Sequence, residues 1–382
     1  MRRHLASCTA ALAAAIVSLG LVAGAASASG SGSAGTAGSA TSSAAPAVTP
    51  STASSTTPTT TSTTPTTTST TPTTTTTTTP TTTTPPAPVK AQATLSLADT
   101  FDVNRSEVTV PKRTVQVQGV VRPYVAGQLV QVKSYVGKRL FKTDQLRVKP
   151  AAKGTEGRFV ETLKAPSVGV VRVQVTHART DQMLGFFAQR AFTALDESVG
   201  FGSRGPMVDL IQQRLSALHV FLPMSGVFDT QTGLALDAYH RLIGWGEGNE
   251  NADPHTITDL LNGAGTFHVR YPHNGNHAEG DLSDQVLALI KGSQVYRLYP
   301  ISSGKPSTPT VLGNFRVYYR VPGYLPDGMY YSSFFYSGYA IHGYDPAPDY
   351  PASHGCMRLP IIDAIGVFDW LTYGDWVDVY YT

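Results

Sequence analysis

The hydrophobic rhythm of the chain changes twice along its folded length. From about residue 92 to 195 apolar and polar positions alternate: Val115, Val117 and Gly119 with Gln116 and Gln118, Val130 and Val132 with Gln131, then Val171, Val173 and Val175. A two-residue period sends one set of side chains to a core and the other to water. Arg122-Pro123 and Gly154-Thr155-Glu156-Gly157 punctuate the runs as turns. Some seven short strands in ~100 residues predict an antiparallel, Ig-like β-sandwich over 91–195. It holds no cysteine and no cluster of acids and histidines, so it reads as a spacer or interaction module. Near Val199 the period becomes helical. Val208, Ile211, Leu215 and Leu218 share one helix face, and a second helix starting after Asp229 or Thr230 presents Ala235, Tyr239 and Leu242. A small helical domain is expected over 196–263. The remainder, 264–382, is rich in Gly, Pro and aromatics. It reads as short strands at 285–290, 295–302, 314–321, 339–342 and 376–381, with one main amphipathic helix from about 360 to 371. The fold class is multidomain and mainly β.

Ahead of the folded part, residues 1–28 have the form of a secretory signal. Arg2 and Arg3 precede an apolar stretch that ends in Ala26-Ser27-Ala28, a small-x-small cleavage site. Residues 29–90 cannot bury a core: between Ser51 and Pro86 stand 24 Thr, 5 Ser, 6 Pro and one Ala. This is an extended, Pro-stiffened, disordered tether. The expectation is export, with cleavage near Ala28 and the folded part held away from the membrane in the cell wall, periplasm or medium. The signal stretch is short and Ala-rich, and nothing later is apolar enough for a stable span after processing.

Charge adds little. The 29 Lys and Arg against 26 Asp and Glu give +3, and loss of Arg2 and Arg3 leaves +1. No basic run suggests nucleic acid as a partner. Cysteine usage decides more. Cys8 lies in the leader, so Cys356 is the sole thiol of the processed chain and cannot form an intrachain disulfide. An unpaired thiol in an exported protein is either buried and inert or present because it reacts.

Cys356 stands in Ser353-His354-Gly355-Cys356-Met357-Arg358. A thiol of ordinary pKa, roughly 8.5, is only a few per cent thiolate at pH 7, so attack on an amide needs a base or a positive neighbourhood. His342, in Ala340-Ile341-His342-Gly343-Tyr344, follows an apolar run and is placed to end a strand pointing at the Cys356 loop. Gly343 and Gly355 permit close backbone approach, N–H groups near Gly355 and Cys356 offer an oxyanion site, and the following helix N-terminus would favour a thiolate.

Ile341-His342-Gly343 followed by Ser353-His354-Gly355-Cys356-x-Arg358 resembles the signature of the YkuD-type L,D-transpeptidase catalytic domain. Upstream, Ser302-Ser303-Gly304-Lys305 with Pro309-Thr310-x-x-Gly313-x-Phe315 resembles the strand–turn–strand before that site. The resemblance implies Cys356 as nucleophile on a peptidoglycan stem peptide, His342 as general acid/base and His354 as a second site histidine. It implies Gly343, Ser353 and Gly355 as oxyanion or loop support and Arg358 as a substrate contact. It implies no cofactor, and carbapenems as trapping ligands. Some relatives carry Ser after the first His. Here the residue is Gly343, so a backbone carbonyl must orient His342. The acyl acceptor is left open between an amine, giving a cross-link, and water, giving an L,D-carboxypeptidase. A non-catalytic wall-binding protein is the alternative of a different class.

The helical stretch resembles the three-helix peptidoglycan-binding domain through Gly202-Ser203-Arg204-Gly205, Val208, Ile211-Gln212, Leu215, Gly226, Phe228 and Thr232. It departs where that family has Gly (His219) and Gln (His240), which leaves glycan binding or packing alone as its role. The aromatic run between Tyr318 and Tyr339 reads either as a packed hairpin or as a lid, with Met329 and Tyr330 facing substrate. His268, His273 and His277 lack a zinc spacing and a thiolate partner, so they read as solvated loop residues and no metal site is expected.

Overall fold

A computed structural model describes residues 85–382 apart from 247. The expected signal at 1–28 and nearly all of the expected tether at 29–90 lie outside the described residues. No helix among the described residues is long and apolar enough to cross a membrane.

Ten strands form the first part: β1 (Gln92–Ala98), β2 (Phe101–Val103), β3 (Ser106–Thr109), β4 (Thr114–Arg122), β5 (Leu129–Val136), β6 (Arg139–Arg147), β7 (Lys149–Pro150), β8 (Gly157–Lys164), β9 (Gly169–His177) and β10 (Phe186–Ala194). They make a four-stranded sheet, β1-β4-β8-β7, and a six-stranded sheet, β2-β3-β10-β9-β5-β6. The alternation in the sequence is the reason. Val115, Val117 and Val121 from one sheet meet Val130, Val132, Val171, Val173 and Val175 from the other in one core, and β-branched residues suit such pleated surfaces. Strands exceed the expected seven because β2, β3 and β7 are too short to show a period. The sheets are also not wholly antiparallel, since β10 runs parallel to β3.

Three helices follow: α1 (Pro206–Ala217), α2 (Thr230–Leu242) and α3 (Pro254–Asn262). The Asp229 side chain caps α2 by accepting from the Thr232 N–H, and Asp253 does the same for α3 through Thr256. The two departures from the family pattern have structural tasks. His219 takes the left-handed conformation (φ 64°) usually left to glycine. His240 is fully buried: Nδ1–H donates to the Asn249 carbonyl (2.6 Å) and Nε2 accepts from Thr256 Oγ1 (2.9 Å).

The last part contains β11 (Asn276–Asp281), β12 (Val286–Lys291), β13 (Gln294–Pro300), β14 (Gly313–Arg316), β15 (Tyr319–Tyr324), β16 (Tyr330–Tyr336), β17 (Tyr339–Tyr344), β18 (Met357–Pro360), α4 (Ala364–Trp370) and β19 (Trp376–Tyr380). A five-stranded sheet, β13-β12-β11-β19-β14, packs on a four-stranded one, β15-β16-β17-β18. Their core includes Leu287, Leu289, Phe335, Ile341, Met357 and Val377. Strand β11 was unexpected because it is polar. Its His277 is not a solvated loop residue but fully buried, with Nε2 3.0 Å from Glu279 Oε1 and Nδ1 2.9 Å from the Gly275 carbonyl. Glu279 also accepts the N–H groups of Arg270 and Tyr271 and the Tyr380 hydroxyl.

The helices do not close a core of their own. One apolar cluster joins Val103, Val108 and Val110 of the sandwich, the inner faces of α1–α3, and Val286, Ala288, Ile290 and Leu298 of β12 and β13. The chain at 219–221 also pairs with the free edge of β13: the Leu298 N–H donates to the His219 carbonyl (2.8 Å) and the Phe221 N–H to that of Leu298 (3.0 Å). Excising 199–263 therefore uncovers both an apolar sheet face and an unpaired strand edge. The shortened chain is expected to aggregate or melt well below the intact protein in a calorimetric scan. A soluble fragment with an unchanged Tm would show that the helices are separable.

Candidate active site

The segment holding Cys356 is clamped on both flanks by residues 302–305. Before the thiol, the Ser303 carbonyl accepts the N–H groups of Ala352 (3.0 Å) and Ser353 (2.9 Å), and the Lys305 N–H donates to the Ser353 carbonyl (3.0 Å). After it, Ser302 and Arg358 exchange both backbone hydrogen bonds at 2.9 Å. Inside the clamp, the buried Ser353 hydroxyl donates to the Cys356 carbonyl (2.6 Å) and accepts the Gly355 N–H (3.0 Å). Gly355 sits at φ 119°, and a Cβ there would stand 2.1 Å from Tyr339 Cε1. Only glycine fits this turn. The expected oxyanion pair is thus reduced: Ser353 takes up the Gly355 N–H, whereas among the described residues the Cys356 N–H has no acceptor.

His342 lies on β17, which runs parallel to β18 with His342 opposite Arg358. It is 2% exposed. Its Nδ1 is 2.9 Å from the Gly343 carbonyl. A carbonyl can only accept, so the proton is on Nδ1 and Nε2 carries a lone pair. Burial is the main cause that lowers the His342 pKa, to about 4. The Arg358 charge acts in the same sense, and the Gly343 carbonyl and Asp327 act against it. Cys356 is half-buried, with Sγ 3.7 Å from the Gly338 carbonyl. Burial also pushes its thiol above the ordinary value, against the Ala340 N–H and Arg358, which favour the anion. At neutral pH both groups are therefore uncharged, in contrast to the thiolate expected from sequence. The helix is not there to help: β18 and a short 3₁₀ turn separate Cys356 from α4.

The other expected residues divide into those near this pair and those turned away. Arg358 places its guanidinium 4.0 Å over the Tyr344 ring. His354 is exposed, its Nε2 3.3 Å from Lys305 Nζ. Gly343 lies flat against α4, where a Cβ would stand 2.6 Å from the Ala364 Cβ. That contact is the physical reason no side chain follows His342. Tyr330 pairs with Gly343 in the sheet and packs on Tyr324 and Tyr331. Met329, expected to face substrate, is 8% exposed. The aromatic run forms β15 and β16 of the four-stranded sheet, with Phe335 in the core, so it is a packed hairpin. Sequence reasoning missed Asp327, in the turn between those strands, whose charge reaches both His342 and Cys356. Its neighbour Gly328, beside a Met and an aromatic run, was the available signal.

Two expectations follow. The His342 ring proton, followed by NMR, should titrate near pH 4, and thiolate absorbance should develop only above the midpoint of a free cysteine. The imidazole of lowered pKa is neutral above that midpoint, so no charged pair forms between pH 5 and 8; a His342 midpoint above 6 would contradict this. Gly343→Ser should cost about 1–3 kcal/mol of stability through overpacking against Ala364. Denaturant melts should show much of that loss recovered in Gly343→Ser with Ala364→Gly, and additive losses would refute the contact.

The family described as YkuD, L,D-transpeptidase catalytic domain, matches residues 275–379. No curated protein matches the chain. Among solved structures, an L,D-transpeptidase from Xylanimonas cellulosilytica is 28% identical, over 49% of this chain and 98% of its own, with a TM-score of 0.43. One from Mycobacterium smegmatis is 13% identical, over 75% of this chain and 99% of its own, at 0.25. The catalytic domain of an E. faecium L,D-transpeptidase acylated by ertapenem is 28% identical, over 28% of this chain and 97% of its own, at 0.24. Residues 275–379 thus carry a YkuD-type L,D-transpeptidase catalytic domain, which is an enzyme family.

Proposed function

We propose that the protein cross-links peptidoglycan stem peptides through a thioester on Cys356, with His342 as the proton carrier. The observation that carries this reading is the pinned tautomer of His342. With Nδ1–H held by the Gly343 carbonyl, a basic Nε2 is fixed two residues along β17 from Ala340, whose amide favours the Cys356 thiolate. Imidazole and thiol both start neutral, so the proton moves as the bond forms. Sγ attacks the carbonyl of the third stem residue and its proton passes to Nε2. The oxyanion that forms takes the free Cys356 N–H. Collapse expels the D-alanine amine, which leaves with the proton from Nε2. A side-chain amine of a second stem then attacks the thioester and gives its proton back through Nε2 to the sulfur. Arg358 and Lys305, cations on either flank of the thiol, suit the carboxylates of the stems.

Around this unit we read a secretory signal cleaved near Ala28, a Thr/Pro tether over 29–90, an Ig-like sandwich over 91–195 and a peptidoglycan-binding-like helical domain over 196–263. Together they would hold the C-terminal enzyme, 264–382, in the wall.

Mass spectrometry of the full chain with purified disaccharide-tetrapeptide tests the reading. The expected products are free D-alanine, an acyl group on the peptide containing Cys356, and a cross-linked dimer, all lost in Cys356→Ala. Tripeptide without dimer would assign water as the acceptor, and turnover by Cys356→Ala would remove the thiol from the mechanism. Ertapenem should add once per chain at Cys356, and an adduct formed equally fast by His342→Ala at neutral pH would sink the role of His342.

A further inference from the structure

Helix α2 extends a buried guanidinium into the catalytic part. Arg241 and Asp237, one helical turn apart, form an ion pair at 2.5 Å with side chains only 3% and 5% exposed. The other terminal nitrogen of Arg241 donates to the carbonyls of Gln285 (2.8 Å) and Ile301 (2.7 Å). Three acceptors in different directions need a planar fork of donors, which lysine cannot supply. Both carbonyls lie at the root of the clamp on Cys356. Gln285 is buried in the left-handed region (φ 52°). Its side chain donates to Ser303 Oγ (2.7 Å) and accepts the Ser303 N–H (2.9 Å). Ile301 leads directly into Ser302, which pairs with Arg358. The Ser303 carbonyl holds the amides of Ala352 and Ser353, and the Ser353 hydroxyl holds the Cys356 carbonyl. The path from the guanidinium to the thiol's own peptide thus alternates hydrogen bonds with single residues of chain.

We infer that Arg241 is a positioning residue for the nucleophile, acting from the helical segment through Gln285 and Ile301 on the 302–305 clamp. The segment that resembles a wall-binding module is then part of the catalytic machine. This rests on Cys356 being the nucleophile. Loss of the guanidinium takes the Arg241 donor from the buried Ile301 carbonyl, leaves the Gln285 carbonyl with the Ile301 N–H alone and Asp237 with the Gly248 N–H alone, and the clamp loosens. Slack of about 1 Å at the sulfur slows the chemical step without changing how substrate is held.

The test measures ertapenem acylation of Cys356 by mass spectrometry in the full chain, separating maximal rate from half-saturating concentration, beside the Tm. Arg241→Met should lower the maximal rate by about 10–100-fold, in line with the cost of misplacing a reacting group by about 1 Å, with half-saturation unchanged. Arg241→Lys, which keeps the pair with Asp237, should fall between. Leu236→Ala, a core cavity in the same helix, should lower the Tm yet acylate at the wild-type rate. Should Arg241→Met fail to fold, Arg241→Lys decides alone. A folded Arg241→Lys at the wild-type rate, or Leu236→Ala slowed as much as Arg241→Met, overturns the inference. Absence of any adduct in the wild type overturns the role of Cys356 itself and this inference with it.

Discussion

Strands β17 and β18 lie side by side and point the same way, and the site follows from that. Parallel neighbours cannot be joined by a tight turn, so the chain must leave the sheet and return over about a dozen residues or more. Residues 345–356 make this crossing without a helix of their own. The crossing sets the fourteen-residue spacing between His342 and Cys356. It also brings a sulfur at the start of one strand against the backbone of the other. A connection of that length would wander if left free. The 302–305 segment prevents this by bonding to it both before and after the thiol.

Burial then decides the electrostatics. A buried imidazole and a half-buried thiol each resist ionisation, and a single nearby arginine, stacked on Tyr344, does not reverse this for the thiol. In the proposed reaction, charge separation is deferred to the moment of attack, when the substrate carbonyl begins to carry part of it. In that reading, the carbonyl of Gly343 takes the place of a third catalytic side chain. The close packing of Gly343 on Ala364 explains why the backbone does this work.

What was legible in the sequence was what leaves a periodic or local trace. The valine alternation of β4, β5 and β9 announces a half-buried sheet because each strand has one wet face. The Cys356 loop was legible because its turn admits few residue types: Gly355 at positive φ and Ser353 as both donor and acceptor. Strand β11 was not, because His277 and Glu279 are buried with each other, and burial of paired polar groups has no hydrophobic signature. The burial of Met329 was not legible either, because proximity along the chain does not say which way a side chain turns. The Arg241 contacts were hidden for a related reason: an Asp and an Arg four apart on a helix normally describe a solvated face. Helical periodicity likewise shows that α1 and α2 have an apolar side, but not what covers it.

The common core of the helices and β12–β13 also bears on the order of folding. A chain is made from its N-terminus, so residues 206–262 emerge before 286–298 exist. Until those strands arrive, the inner faces of α1, α2 and α3 have only one another and a few sandwich valines to lie on. The helices can form early, but the cluster they share with Val286, Ile290 and Leu298 closes late. The middle of the protein thus remains an unfinished interior while synthesis continues, and the strands that carry the enzyme are what complete it.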